Sequence, residues 1–265
     1  MIVTTAHHPA DAVLARAEGL ARELGARLVA RRGRTLRQLM EHYRDPRLLV
    51  VSDKELRYYD GDTETLLYFH PSMAFVRVKR LRNGEPDPMI ELSGCEPGDS
   101  VLDCTAGLGS DALVFSYAVG QSGRVTALES EPVLHVVVRE GWKHYETDLP
   151  DANEAMRRID ARLADHREYL AALPDDSVDI VYFDPMFREP VYESSALEPI
   201  RPVANYGSLE RETVGHAIRV ARKCVMMKES RTSDEFERLG FERCPVKKTS
   251  KIGYGVIRID RSRRI

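Results

Sequence analysis

Between residues 86 and 240, short apolar runs alternate with longer stretches of helical periodicity. A parallel strand that is covered on both faces reads as a nearly continuous apolar segment. On this basis we predict strands at residues 100–104, 124–129, 158–163, 178–183 and 224–227. The stretches between and after them predict helices at residues 111–119, 131–145, 166–173, 209–223 and 233–239. This alternation predicts an α/β fold with a mostly parallel sheet and helices on both faces.

The last part of the chain departs from this alternation. Two strand-like runs, at residues 242–249 and 255–259, follow the last predicted helix with no helix between them. Parallel neighbours need a long crossover connection, whereas antiparallel neighbours do not. The sequence therefore predicts a C-terminal antiparallel hairpin at one edge of the sheet.

Residues 1–85 carry a different pattern, with strands predicted at residues 1–5, 27–30, 48–52, 56–59 and 65–69, and helices at residues 10–24 and 35–43. The turn Asp60-Gly61-Asp62 indicates a hairpin between the last two strands. Asn83-Gly84, Pro86 and Pro88 indicate a linker. We therefore predict a small N-terminal α+β domain over residues 1–85 and a larger domain over residues 86–265.

Composition narrows the class of protein. The 265 residues are 43% hydrophobic and 31% charged, which suits one large domain with a small appendage. The net charge is −3, so any contact with nucleic acid must use local clusters of positive charge. No apolar run approaches the ~20 residues that a membrane helix needs. Because the first residues also lack the pattern of a signal peptide, we expect a cytoplasmic protein with no membrane partner.

The cysteines give no sign of a metal site. Cys95, Cys104, Cys224 and Cys244 form no Cys-x-x-Cys pair, and no histidine pair at ligand spacing accompanies them. Two of them lie inside apolar runs, where a free cysteine behaves as a small hydrophobic side chain. We expect no bound metal.

The first motif with chemical meaning runs from Asp103 to Asp111, where a predicted strand passes through a glycine-containing turn into a helix. Glycine lets the backbone approach a ligand closely, at the carboxyl end of a parallel strand. The spacing departs from Gly-x-Gly-x-x-Gly, because Thr105 replaces the first glycine and none follows Gly109 as required. The Asp103 carboxylate suits a cationic amine, such as the methionine part of S-adenosylmethionine. A structural turn without a ligand is the alternative.

Two further acidic residues follow the next predicted strands. Glu129 could accept hydrogen bonds from both hydroxyls of a ribose, or it could serve the start of the following helix. Asp165 could accept a hydrogen bond from an adenine amine beside Ala164, or it could cap the helix that begins at His166. Both roles are compatible with each position.

The fourth motif, Asp184-Pro185-Met186-Phe187, ends an apolar strand. It resembles the Asp/Asn-Pro-Pro-aromatic signature of amine methyltransferases, with Met186 in place of the second proline. An exocyclic base amine is nearly non-basic, so acceptors that hold its two hydrogens help to direct its lone pair toward a methyl donor. The Asp184 side chain and the Pro185 carbonyl could be those acceptors, and Phe187 could stack on the extruded base. The alternative is an ordinary strand-end turn.

Taken together, the motifs resemble the bacterial small-subunit ribosomal RNA guanine-N2 methyltransferases that carry Asp-Pro-Met-Phe. The resemblance covers roughly residues 73–230 and includes residues 103–112, 128–132 and 184–187. It implies a class I methyltransferase fold, S-adenosyl-L-methionine as cofactor, and ribosomal RNA or the small ribosomal subunit as partner. The cofactor residues that it implies are Asp103, Thr105, Ala106, Gly107, Gly109, Asp111, Glu129, Ser130, Asp165 and Asp184. The chain departs from the family at Arg188-Glu189-Pro190 and across residues 1–70.

Positive charge is concentrated in three clusters, at residues 31–34, 77–82 and 247–251. The middle cluster and a lysine after the fifth strand of the larger domain are the candidate RNA contacts: Arg77, Lys79, Arg80, Arg82 and Lys228. If residues 77–82 are extended, alternate side chains share a face. A solvated surface remains the alternative for each, and residues 1–85 are a second candidate for RNA contact.

Two other functions remain open. The motifs that suit the cofactor would also suit a methyltransferase that acts on another amine, in other RNA, DNA, protein or a small molecule. A module that binds S-adenosylmethionine or RNA without catalysis is a second alternative, although it would not need amine acceptors at residues 184–187. A nicotinamide dehydrogenase fits least well. Residues 188–208 contain three prolines and little periodicity, which is compatible with a substrate lid.

Overall fold

The structure is a computed structural model of the chain, and it describes residues 1–64, 66–185, 207–245 and 250–260. Backbone contacts divide these residues into two compact units. The first contains Met1–His70 and Glu131–Glu146, and the second contains the rest of the described chain. The contacts therefore group residues 71–85 with the second unit, whereas the sequence predicts a boundary at residue 85.

The first unit contains β1 (Ile2–Thr5), α1 (Asp11–Glu23), β2 (Arg27–Leu28), α2 (Leu36–Tyr43), β3 (Arg47–Val51), β4 (Leu56–Asp60), β5 (Leu66–Tyr68) and α6 (Pro132–His144). Among the described residues, its sheet has the strand order β2-β1-β3-β4-β5. β1 runs parallel to β2 and β3, and β3, β4 and β5 are antiparallel neighbours. The elements predicted for residues 1–69, including the hairpin between β4 and β5, form within a few residues of their expected bounds.

Helix α6 lies against β4 and β5. Gly141 makes this close approach possible, because a Cβ at that position would lie 2.1 Å from Cγ of Phe69. Any larger residue at 141 would have to displace the buried Phe69 ring. The helix that follows the second strand of the larger sheet is thus a structural part of the first unit.

The second unit contains α3 (Ser72–Arg82), α4 (Pro88–Ser93), β6 (Ser100–Asp103), α5 (Ser110–Val119), β7 (Arg124–Glu129), α7 (Pro150–Arg157), β8 (Asp160–Leu163), α8 (His166–Ala172), β9 (Val178–Phe183), α9 (Arg211–Val220), β10 (Ala221–Ser230), α10 (Glu235–Leu239), β11 (Glu242–Arg243) and β12 (Ile252–Arg258). In the described chain, the strand order is β11-β12-β10-β9-β6-β7-β8. Strands β6 to β10 pair in parallel, and β12 is antiparallel to β10 and to β11. This confirms the mostly parallel sheet with an antiparallel hairpin.

Alternating side chains of β9 show that helices cover both faces of this sheet. The Tyr182 ring meets the Phe115 ring of α5 at 5.2 Å between centroids. Phe183, the next residue, belongs to the core on the opposite face, with Leu170 of α8 and Ala217 of α9. Successive residues of a strand point to opposite faces, so the central strand is buried on both sides.

Residues 77–82 lie in helix α3, so the condition that this stretch is extended is not met. The predicted linker is non-helical as far as Asp87, which caps helix α4 by accepting the Met89 N–H at 3.0 Å. The end of the predicted helix at residues 209–223 was wrong, because the helix ends at Val220 and β10 begins at Ala221. There Arg222 donates to Asp179 of β9 at 2.7 Å, which holds the chain in the sheet.

Candidate functional site

Four acidic side chains lie at the carboxyl ends of successive parallel strands. Asp103 ends β6, Glu129 ends β7, Asp165 follows β8 and Asp184 follows β9. The carboxyl ends of parallel strands meet at one edge of a sheet, where ligands bind in open α/β folds. The structure thus brings together four residues that the sequence places far apart.

The turn after β6 is tied to the next strand through Glu129. The Gly107 N–H donates to Glu129 Oε2 at 3.1 Å, and the Thr105 N–H donates to Asp103 Oδ1 at 3.0 Å. Gly107 and Gly109 have φ angles of 51° and 76°, a backbone region that favours glycine. The two glycines therefore shape a turn whose amides and carboxylates lie at the sheet edge.

Asp103 is an unusual carboxylic acid. Its side chain is 1% exposed, and burial raises its pKa to about 8 against the opposing hydrogen bond from Thr105. The nearby carboxylates of Asp111 and Asp184 raise the pKa further. A cationic group placed next to Asp103 would reverse this shift, because opposite charge favours the ionised form.

Asp165 caps helix α8. Its Oδ1 accepts the Arg167 N–H at 2.8 Å, and the hydrogen bond from the Arg167 side chain lowers the pKa of Asp165 to about 2. The capping role is confirmed, and the adenine contact stays a prediction. Ala106, in the turn after β6, donates its N–H to the Leu128 carbonyl at 2.9 Å, and Ser130 directly follows β7.

Asp184 is joined to the turn after β6, because its N–H donates to Thr105 Oγ1 at 2.5 Å. Its side chain is 26% exposed. Burial raises the pKa of Asp184 to about 6, although Lys228 opposes the shift while Asp111 adds to it. Of the predicted catalytic residues, Asp184 and Pro185 are described, and Phe187 lies outside the described residues, as does Met186.

A buried chain of charges supports Asp184. Lys228 Nζ donates to Asp184 Oδ2 at 2.6 Å and to Asp111 Oδ2 at 2.9 Å. The Tyr182 hydroxyl donates to Asp111 Oδ2 at 2.7 Å, and Arg77 Nη1 donates to Asp111 Oδ1. The Lys228 side chain is 16% exposed, so the solvated-lysine alternative is wrong. Burial alone would raise the pKa of Asp111, but the Lys228 and Arg77 cations outweigh it and lower that pKa.

Sequence reasoning missed this chain of charges. It assigned Asp111 to the cofactor and placed Arg77 among the RNA contacts, yet here the Arg77 guanidinium also donates to both Asp87 oxygens at 2.7 and 2.8 Å. One available signal was Asp111 itself, the charged residue of a helix, α5, whose other residues are apolar or uncharged. Such a residue needs a buried partner of opposite charge.

The other three cations of α3 are half-exposed and have acidic neighbours. Lys79 lies 3.7 Å from Asp148, Arg80 lies 3.0 Å from Glu85, and Arg82 lies 3.1 Å from Asp151. Lys79 also lies 4.4 Å from the centre of the Phe75 ring. Their role as phosphate contacts stays a prediction. Of the third basic cluster, Lys247 and Lys248 lie outside the described residues.

A family model described as "Putative SAM-dependent methyltransferase" matches residues 31–233. The chain belongs to this family. Its cofactor is therefore S-adenosyl-L-methionine. The fold that places four acidic residues at the carboxyl ends of the parallel strands is the fold of a methyltransferase. The chain is 39% identical to the uncharacterised Bacillus subtilis protein YpiP over 97% of this chain and 98% of that protein.

More distant similarity reaches named enzymes. The methyltransferase is 31% identical to ribosomal RNA small subunit methyltransferase J of Dechloromonas aromatica over 60% of this chain and 68% of that enzyme. The corresponding Acinetobacter baumannii enzyme is 27% identical over 55% of this chain and 56% of its own length. A crystal structure of a SAM-dependent methyltransferase from Neisseria gonorrhoeae superposes with a TM-score of 0.65 at 18% identity, covering 100% of this chain and 98% of that one. That likeness concerns the fold.

The described residues contain neither a membrane-spanning helix nor a metal-binding cluster. No described helix is both long and apolar enough to span a membrane. Within the same described ranges, no three histidine, cysteine or acidic side chains form a cluster that could hold a metal ion.

Proposed function

We propose that this methyltransferase acts on an exocyclic amine of a nucleic-acid base, and that its substrate is N2 of a guanine in small-subunit ribosomal RNA. The observation that carries the proposal is the position of Asp184-Pro185. This pair directly follows the central strand β9, and the Asp184 N–H donates a hydrogen bond to Thr105 in the turn after β6. An amine acceptor beside the proposed cofactor turn suits transfer to nitrogen.

The side chains at this edge fit the cofactor by the chemistry of the groups they offer. A buried carboxylate, Asp103, suits the ammonium of the methionine part, and Glu129 suits a ribose diol at the end of the second strand. The Glu129–Gly107 hydrogen bond orients that carboxylate at the sheet edge. Thr105, Ala106, Gly109 and Ser130 complete the proposed cofactor set, with Asp165 at the adenine.

When bound, S-adenosyl-L-methionine supplies a methyl group that its sulfonium makes electrophilic. The protein then has to position the amine. Asp184 accepts a hydrogen bond from one N–H of the amine, and the Pro185 carbonyl accepts a hydrogen bond from the other. Phe187 stacks on the base. The pKa of Asp184 is about 6, so at neutral pH its carboxyl group is mostly ionised and can accept a hydrogen bond from the amine.

The ribosomal RNA assignment is supported by the names of the relatives and by Asp184-Pro185-Met186-Phe187. The half-exposed cations Lys79, Arg80 and Arg82 are the proposed phosphate contacts. Arg77 and Lys228 are instead engaged with buried carboxylates. A different amine substrate remains the second outcome of the experiment that follows.

The test compares ribosomal RNA from cells with and without the gene, by mass spectrometry of the nucleosides. We expect N2-methylguanosine to decrease in small-subunit RNA of the deletion strain, and the purified protein to restore it on deletion-strain subunits or on bare RNA. The Asp184→Ala protein should restore almost none of it in the same reaction time. Unchanged methylguanosine, together with methylation of a different amine, would contradict the guanine assignment.

A further inference from the structure

Lys228 occupies the centre of the buried charges behind Asp184. Its ammonium touches two carboxylates, at 2.6 Å from Asp184 Oδ2 and 2.9 Å from Asp111 Oδ2. Its place in β10 is set by the sheet, because Met227 is in register with Phe183, the residue before Asp184. The strand thus delivers the lysine directly beside the carboxylate that ends the neighbouring strand.

Asp111 is held on its other side as well. Arg77 donates to Asp111 Oδ1, and it grips Asp87 through two further hydrogen bonds. Asp87 in turn caps helix α4. The order Asp87, Arg77, Asp111, Lys228, Asp184 therefore alternates in charge from a helix cap to the candidate catalytic carboxylate.

We propose that Lys228 is a positioning residue for methyl transfer, whose ammonium, itself held by Asp111, fixes the Asp184 carboxylate and keeps it ionised. This inference rests on the proposed role of Asp184 as amine acceptor. A hydrogen bond to Oδ2 still leaves the carboxylate able to accept from an amine, because its two oxygens offer about four lone-pair sites. Lys228 therefore orients Asp184 without consuming its capacity as an acceptor.

The surroundings make the ionisation of Asp184 depend on this lysine. The other titratable groups that act on Asp184, Lys228 or Asp111 come from several elements, namely Asp103 of β6, Tyr182 of β9, Tyr254 of β12 and Arg77 of α3. Asp111 repels an Asp184 anion, and among the described residues Lys228 is a cation in direct contact with it. Loss of Lys228 and loss of the Asp111 charge should therefore change the ionisation of Asp184 in opposite directions.

The test uses Lys228→Met, Lys228→Arg and Asp111→Asn. Lys223→Met is the matched control, because Lys223 lies on the same strand in an ion pair with Asp99. With deletion-strain small subunits, kcat of Lys228→Met should fall by about 100-fold, as for a misplaced reacting group. KM for the subunits and affinity for S-adenosylhomocysteine should not change. The acid limb of its pH–rate profile should move up by roughly 1–3 in pH, whereas that of Asp111→Asn should move down.

Lys228→Arg should recover part of kcat, and Lys223→Met should match the parent. A second measurement follows the aspartate carboxyl carbons by ¹³C NMR, with the Asp184 signal assigned by its loss in Asp184→Ala. If the parent methylates no ribosomal RNA, the proposed function fails, but this titration still decides whether Lys228 controls Asp184. An unmoved Asp184 titration in Lys228→Met overturns the inference, as does parental kcat. If Lys228→Met does not fold, the Lys228→Arg and Asp111→Asn titrations decide.

Discussion

Two buried ionic clusters, one in each unit, have opposite balances of charge. In the first unit, Glu140 accepts from Arg16 at 2.9 Å, Arg139 at 3.2 Å and Lys143 at 3.3 Å. Burial alone would raise the pKa of Glu140, but the surrounding cations lower it. In the second unit, one lysine serves two carboxylates, and Asp184 retains a pKa raised to about 6.

The difference separates a structural cluster from a chemical one. A carboxylate surrounded by cations is fixed in one protonation state and holds elements together, as Glu140 joins α6 to α1. A carboxylate whose neighbours do not balance its charge can change its protonation state when its surroundings change or when a ligand binds beside it. Burial of charge is common to both clusters, so the balance of charge is the feature that marks the candidate site.

The largest expected effect is on catalysis. Asp184→Ala should lower methyl transfer on the order of 10²–10³-fold, because it removes a group that acts mainly in the transition state. Affinity for S-adenosylhomocysteine should stay within a few-fold, as calorimetry would measure. Near-normal turnover by Asp184→Ala would contradict the proposed mechanism, and the cluster around Asp184 would then be no more chemical than the one around Glu140.

Glu140→Gln tests the other cluster. Removing the shared carboxylate takes away the acidic partner of the mostly buried Arg16, and should lower the free energy of unfolding by about 3 kcal/mol. Because the Glu140 pKa is lowered in the folded protein, its contribution is present at neutral pH and decreases as the pH falls. Denaturant unfolding at two pH values measures both effects. Turnover per folded molecule should match the parent. A selective loss of kcat would contradict the purely structural role of the Glu140 cluster.

Glu129→Ala tests the cofactor assignment at the same edge as Asp184. Loss of a charge-assisted hydrogen bond to the ribose should weaken binding of S-adenosylhomocysteine by about 2 kcal/mol. Glu85→Ala, which removes a surface carboxylate paired with Arg80, is the control and should bind as the parent does. Equal affinities in parent and Glu129→Ala would refute the ribose role.

The smallest expected effect is a proton linked to binding. Asp103 has a pKa of about 8 in the free protein, and an adjacent ammonium would favour its ionised form. Binding of S-adenosylhomocysteine should then release close to one proton at pH 7, and affinity should rise by up to about tenfold per pH unit below pH 8. Calorimetry in buffers of different ionisation enthalpy measures the proton. Proton release that persists in Asp103→Asn would assign it elsewhere.

Local patterns were sufficient for most of the fold. Apolar runs located β6, β7 and β9 almost to the residue, because a buried parallel strand has to be apolar on both faces. Helix α3 was missed, because cations flank its buried Val78 and obscure the helical period. Helix α4 was also not predicted, because its first residue, Pro88, was assigned to the linker, although proline also suits the first turn of a helix.

The sequence by itself determined that Asp103, Glu129 and Asp184 share one edge of the sheet. The carboxyl ends of parallel strands meet at that edge in whatever order the strands lie across the sheet. Only the tertiary structure decided what surrounds them. Arg77 and Asp111 are 34 residues apart, and Asp111 and Lys228 are 117 apart. No local period relates such positions. Their contact depends on how α3, α5 and β10 pack, and on the high cost of leaving any one of these charges buried alone.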